Sequence, residues 1–103
     1  MKAHKIIAAL LRPLVLSGAY KDETTALKDI VITHMESKME TYDKIIQTLQ
    51  EKYGKDFNMF TKDIQWKATP RLEDDWMEWK GAIEMKRSWN EALKEVIEVE
   101  AKV

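Results

Sequence analysis

Apolar residues recur along the chain at intervals of three and four, the spacing that places them on one face of an α-helix. The first such segment predicts a helix at Ala3–Leu16, and Gly18 favours its end because glycine adopts the left-handed conformation easily. The next segment predicts a long helix at Glu23–Lys52. Either Asp22 or Thr24 can cap this helix, since both side chains accept hydrogen bonds from free backbone N–H groups.

Two more helices are predicted in the second half of the chain. Gly54 ends the long helix, and a short helix follows at Asp56–Ile64, with Asp56 as its cap. A connection containing Pro70 then leads to a fourth helix at Asp74–Val99, whose first residues are acidic and therefore suit the positive end of the helix dipole. We predict an all-α fold, a single four-helix domain over residues 1–103 with a long second and a short third helix.

The N-terminal segment contains one helix-breaking residue. Pro13 lies within the first apolar stripe and predicts either a kink or a helix start at Arg12. A positive start followed by an apolar run is also typical of signal peptides. Here Arg12 and Pro13 interrupt the apolar run, so we do not expect a signal peptide. The run is also too short to cross a bilayer. We therefore expect no membrane association.

Composition narrows the possible functions. The net charge of −1 provides no general attraction for nucleic acid or for an anionic membrane. The absence of cysteine excludes disulfides, thiolate metal sites and a cysteine nucleophile, and it fits a cytoplasmic protein. Six methionines and four tryptophans are many for this length, and side chains of these types serve both cores and protein interfaces.

One acidic cluster is a candidate metal site. Asp74, Asp75 and Glu78 lie within about one turn of the predicted fourth helix, and this arrangement resembles the magnesium-binding helix of all-α nucleoside-triphosphate pyrophosphatases. Such enzymes add a second acidic pair on a facing helix. The next acidic pair here begins at Glu95, about 26 Å from Glu78 along the same helix. One magnesium ion therefore cannot contact both acidic groups. We predict no enzyme activity, no cofactor and no metal, with a magnesium-dependent nucleotide pyrophosphohydrolase as the alternative.

A DNA-binding transcriptional regulator is a further alternative. Residues 1–21 contain lysine and arginine but no acid, and two helices joined by a short glycine turn match the outline of a helix-turn-helix. The second helix would have to read the DNA, yet it begins beside Asp22 and Glu23, which repel phosphate. We therefore expect no nucleic-acid binding by this helix.

Three stretches resemble small prokaryotic antitoxins of toxin–antitoxin pairs. The segment LVLSGAYKDETTALKDIV is similar to the two-helix part of ribbon-helix-helix antitoxins, in which a glycine, an aromatic residue and a capping turn separate the helices. The segments KYGKDFNMF and DDWMEWKGAIE resemble later portions of such proteins. Only Met1–Ala3 precede the first apolar stripe, so we expect no room for the DNA-reading ribbon. The resemblance thus implies a protein that binds and neutralises a partner, such as a toxin, and that retains the helical dimer element.

Two sets of residues are predicted to make these contacts. A helix as long as the second exceeds what a compact domain of this size needs, so part of its apolar stripe is expected to meet another copy in a homodimer. The dimer residues are Met35, Met39, Tyr42 and Ile46. The fourth helix is expected to contact the partner protein through Trp76, Trp79, Ile83, Trp89 and Leu93.

Overall fold

The computed structural model describes the backbone of residues 2–102 and the side chains of residues 3–98. Met1 and Val103, the ends of the predicted domain, lie outside the described residues. The part of the chain that is described contains no β-strand, which confirms the all-α prediction. Its four helices are α1 (Lys2–Leu16), α2 (Glu23–Tyr53), α3 (Phe57–Ile64) and α4 (Pro70–Lys102).

The chain divides into two compact units, residues 1–34 and 35–103. The first unit contains α1 and the beginning of α2. The second contains the remainder of α2 together with α3 and α4. The single domain over residues 1–103 stays a prediction.

The connection between α1 and α2 confirms the predicted turn. Gly18 has a φ of +83°, the left-handed conformation that ends a helix. The Asp22 carboxylate accepts a hydrogen bond of 2.7 Å from the backbone N–H of Thr25, so Asp22 rather than Thr24 provides the cap. This bond also lowers the pKa of Asp22. Pro13 lies inside α1, which runs on without a break from Lys2, so the alternative helix start at Arg12 is wrong.

The beginning of α4 differs from the prediction. The helix starts at Pro70, four residues before the predicted Asp74. The Thr69 hydroxyl accepts a hydrogen bond of 3.3 Å from the Leu72 N–H, and the Thr69 carbonyl accepts one of 2.9 Å from the Glu73 N–H. Proline suits the first helical position because its missing N–H would have no partner there. The sequence Thr-Pro is therefore a helix start and not part of the connection.

The core of the second unit lies where α2, α3 and α4 meet. Asp56 caps α3 as predicted, accepting a bond of 2.8 Å from the Met59 N–H, and thereby sets the direction of this short helix. The buried core residues are Leu49, Phe60, Ile64 and Trp79, one or two from each helix. Around them pack the half-buried residues Ile45, Ile46, Tyr53, Phe57, Leu72, Trp76 and Ile83. This aromatic core fixes α3 against α4 and so positions the side chains at the surface of this unit.

Candidate partner-binding surfaces

A groove in the second unit is lined by residues of α2 and α4. It has a volume of about 490 Å³. Met39 and Ile46 of α2 are seven residues apart, which places them on the same helix face about 10 Å from each other. From α4 come the apolar Ile83 and three polar residues, Lys86, Arg87 and Asn90. The groove thus combines an apolar interior with a basic edge, and we call it the α2–α4 groove.

The basic edge of the α2–α4 groove contains one paired and one unpaired cation. The Lys86 ammonium lies 2.6 Å from the Asp43 carboxylate and links α4 to α2. Both side chains are about two-fifths exposed, so solvent screens this pair and it adds little stability. Arg87 is exposed and forms no ion pair with any residue that the structure describes. Its guanidinium is therefore available to an acidic group of a ligand.

The α2–α4 groove brings together residues that the sequence assigned to two different surfaces. Met39 and Ile46 were predicted for a homodimer, and Ile83 for a partner protein. Met35 and Tyr42, the other predicted dimer residues, are half-buried in the same unit. Because the three groove residues share one depression, a ligand that occupies it contacts all of them at once.

Trp79 is a core residue and requires a correction to the predicted contact surface. Its side chain is fully buried. The indole ring packs against Phe60 at 5.4 Å and Phe57 at 5.5 Å between ring centroids, and stacks with Tyr53 at 6.4 Å. No acceptor within the described residues pairs with its Nε1–H. Trp79 can therefore not touch a partner while the second unit stays folded.

Trp76 lines a second depression, between α3 and the start of α4. This pocket has a volume of about 420 Å³ and includes Ile64 and Met77 in its lining. The Trp76 Nε1–H donates a hydrogen bond of 2.9 Å to the Thr61 hydroxyl, and its ring stacks on Phe57 at 5.8 Å. The indole is thus held in place and forms a fixed wall of the pocket. Trp89 and Leu93, further along α4, are half-buried.

Trp66 is the exposed aromatic residue that the sequence analysis missed. It lies in the connection between α3 and α4, and 93% of its surface is accessible. Its neighbours Gln65 and Ala68 line the pocket beside Trp76. The available signal was its position outside every predicted apolar stripe, since a tryptophan that no helix face needs is free to serve an interface.

One carboxylate of the acidic cluster on α4, that of Asp75, is held by contacts within the protein. Lys52 donates a hydrogen bond of 2.7 Å to Asp75, and the Tyr53 hydroxyl donates another to the same carboxylate. Asp74 and Glu78 are exposed. Across the described residues, no three histidine, cysteine or carboxylate side chains converge as metal ligands would. Asp75 thus forms an ion pair that links α4 to α2.

An acidic residue of α2 lies beside the basic N-terminal segment. In the first unit, Lys5 and Arg12 of α1 line one shallow depression together with Glu23 of α2. A carboxylate at this position reduces the positive potential that a phosphate backbone would meet. This arrangement gives the DNA-binding alternative no added support.

Comparison of the chain with protein-family models, with curated proteins and with solved structures finds no match. The resemblance to antitoxins therefore stays a prediction from the sequence. Within the described part of the chain, no helix combines the length and the apolar character that crossing a membrane requires.

Proposed function

We propose that this protein is a protein–protein interaction module whose α2–α4 groove binds an amphipathic helix of a partner protein. The observation that carries the proposal is the combination of Met39, Ile46 and Ile83 with the unpaired Arg87 in one groove. Helices bind grooves of this kind by inserting apolar residues spaced three, four and seven apart. The flexible Met39 side chain can adjust to the shape of the inserted residues.

Charge specifies the partner segment further. An acidic residue at the edge of the bound helix would pair with Arg87, while its apolar face covers Met39, Ile46 and Ile83. Complementary charge at the edge of an interface speeds association and fixes orientation more than it adds affinity. The expected ligand is therefore an acidic amphipathic helix, and a basic one should bind more weakly.

More specifically, we propose that the protein acts as an antitoxin. The sequence resemblance supports this part, and the partner would then be a small toxin that the protein neutralises in the cytoplasm. The structure offers no observation in favour of the two alternatives, a magnesium-dependent nucleotide pyrophosphohydrolase and a DNA-binding regulator. The contacts of Asp75 with Lys52 and Tyr53 weigh against the pyrophosphohydrolase. The Glu23 carboxylate beside Lys5 and Arg12 weighs against the DNA-binding regulator.

The purified product of the reading frame next to this protein's gene, the partner that the resemblance to antitoxins implies, is used to test the proposal. The two purified proteins are mixed and their dissociation constant is measured by titration calorimetry. We expect Met39→Ala and Arg87→Glu to weaken binding by about tenfold or more, since each removes one contact of the groove. Met59→Ala changes an exposed residue of α3 outside the groove and serves as control. Unchanged binding by both groove variants would contradict the proposed site.

A further inference from the structure

The first unit leaves most of its apolar surface uncovered. Within the described residues it buries only two side chains, those of Leu11 and Ala26. Yet six of the eleven large apolar residues that the structure exposes belong to this third of the chain. These six are Ile6, Ile7, Leu10, Leu16, Leu27 and Ile30. Exposed apolar surface is typical of an interface where it forms one contiguous patch.

Five of these residues belong to one face, which we call the hairpin face. Ile6 and Leu10 are one turn apart on α1, and Leu27 and Ile30 are one turn apart on α2. Ile7 joins the two rows, because it lines with Leu27 a hollow of about 160 Å³ between the helices. Leu16 lies at the end of α1, away from this stripe by helical spacing. The hairpin face therefore has projecting residues beside a hollow.

We propose that two copies of the protein associate through the hairpin face to form a homodimer. The interface is distinct from the α2–α4 groove, so the inference does not depend on the proposed function. In a two-fold symmetric dimer each copy offers the same surface, which must complement itself. The hairpin face meets this condition, because a projecting Leu10 or Ile6 of one copy can enter the hollow of the other.

The area of the hairpin face agrees with what a dimer needs. Its five exposed fractions, from 40% for Leu27 to 70% for Leu10, correspond to roughly 500 Å² of accessible surface per chain. A standard interface buries about 800 Å² per partner, and about 65% of its central part is apolar. The hairpin face thus supplies the apolar centre, and polar residues around it supply the rest.

A second hairpin also completes the packing of the first unit. Two paired hairpins would form a four-helix arrangement, in which each amphipathic helix has neighbours on its apolar side.

Sedimentation equilibrium of the full chain between about 1 and 100 µM tests the proposal. We expect a dimer whose dissociation constant rises at least about tenfold in Leu10→Asp, because the substitution places a charge in the apolar centre. Leu10 is 70% exposed in the single chain, so the variant should still fold, which circular dichroism verifies. Met77→Asp, at a residue 65% exposed in the second unit, is the matched control and should leave the dimer intact.

Cross-linking locates the interface without changing charge. The chain has no cysteine, so Leu10→Cys and Met77→Cys each introduce a single thiol. A short bis-maleimide should join two Leu10→Cys chains efficiently and two Met77→Cys chains poorly. A wild-type protein that stays monomeric at 100 µM would overturn the proposal. So would a dimer that Leu10→Asp leaves intact while Arg87→Glu, at an exposed residue, dissociates it, since the second copy would then occupy the α2–α4 groove.

Discussion

The Lys52 ammonium lies 2.7 Å from the Asp75 carboxylate and joins the last turn of α2 to the second turn of α4. The Tyr53 hydroxyl donates a further hydrogen bond to this carboxylate. The bond from Lys52 is the larger cause, and that from Tyr53 the next, of an Asp75 pKa below its ordinary value. Only 16% of the Asp75 side chain is exposed, so these contacts are shielded from water more than a surface ion pair.

The first prediction concerns the acid stability that Asp75 provides. Because its folded pKa is lower than its unfolded pKa, the carboxylate stabilises the fold above the unfolded value of about 3.9. This contribution is lost as the pH falls through the lowered folded pKa. We expect Asp75→Asn to reduce the free energy of unfolding at pH 7 by about 1–3 kcal/mol, with a much smaller difference at pH 2. Urea unfolding at both pH values measures it.

Asp74→Asn is the matched control for this measurement. Asp74 is the neighbouring carboxylate, and it is exposed where Asp75 is not. We expect its replacement to change the free energy of unfolding by less than about 0.5 kcal/mol, as for most surface substitutions. Equal losses for the two variants, or an Asp75→Asn loss that persists at pH 2, would show that the contact with Lys52 has no role in acid stability.

The second prediction compares two tryptophans in opposite surroundings. Trp79 is fully buried among aromatic rings, whereas Trp66 is 93% exposed. We expect Trp79→Ala to lower the free energy of unfolding by about 3–5 kcal/mol through lost contacts and a cavity. Trp66→Ala removes the same atoms from the surface and should cost less than about 0.5 kcal/mol. Chemical unfolding followed by circular dichroism compares the two variants.

A milder change at Trp79 separates packing from hydrogen bonding. Phenylalanine keeps an aromatic ring in the core but removes the Nε1–H, for which the described residues provide no acceptor. Leaving a buried donor unpaired costs about 1–3 kcal/mol in the wild type, so its removal offsets part of the lost packing. Trp79→Phe should therefore cost clearly less than Trp79→Ala. A Phe variant as unstable as the Ala variant would mean that indole shape alone matters.

The third prediction is that replacing glycine by alanine changes the free energy of unfolding in opposite directions at two positions. Gly54 has a φ of +64° where α2 ends, a conformation that other L-residues adopt at a cost of about 1–2 kcal/mol. Gly81 lies inside α4, and a Cβ atom there would meet nothing within 4 Å. We expect Gly54→Ala to destabilise and Gly81→Ala to stabilise by about 0.5–1 kcal/mol. Thermal unfolding of both variants measures the difference.

Local sequence signals predicted most of the helices because each signal acts within a few residues. Gly18, Asp22 and Asp56 mark helix ends through their own conformation or their own side-chain bonds, and the structure places them there. The start of α4 was misplaced because the acidic residues from Glu73 onward suit a first turn equally well. Thr69 and Pro70 provide the stronger signal, since the threonine caps the helix and proline requires no N–H partner.

The surfaces were less predictable because they depend on which helices become neighbours. An apolar stripe shows that a face is buried or bound, but it does not show against what. Trp79 and Trp76 are three residues apart on the same stripe, yet one fills the core and the other lines a pocket. Likewise, Met39 and Ile83 lie far apart in the sequence, and only the packing of α2 near α4 brings them into one groove.

The last prediction tests the charge preference of the α2–α4 groove with two synthetic helices. Both carry leucines at positions one, four and eight, and they differ only in having glutamates or lysines beside this row. We expect the acidic peptide to bind more tightly, since Arg87 is the unpaired cation at the groove edge, and its advantage should shrink as salt is added. Fluorescence anisotropy of labelled peptides measures both dissociation constants.

Reversing the charge at the groove edge should reverse the preference. In Arg87→Glu we expect the basic peptide to bind more tightly than the acidic one, because the edge then presents a carboxylate while Met39, Ile46 and Ile83 are unchanged. Arg71→Glu makes the same change at an exposed arginine in the first turn of α4, outside the groove, and should leave the order of the two peptides as it is in the wild type. If Arg71→Glu and Arg87→Glu shift the two affinities equally, the peptides respond to overall charge, and the groove does not select its ligand through Arg87.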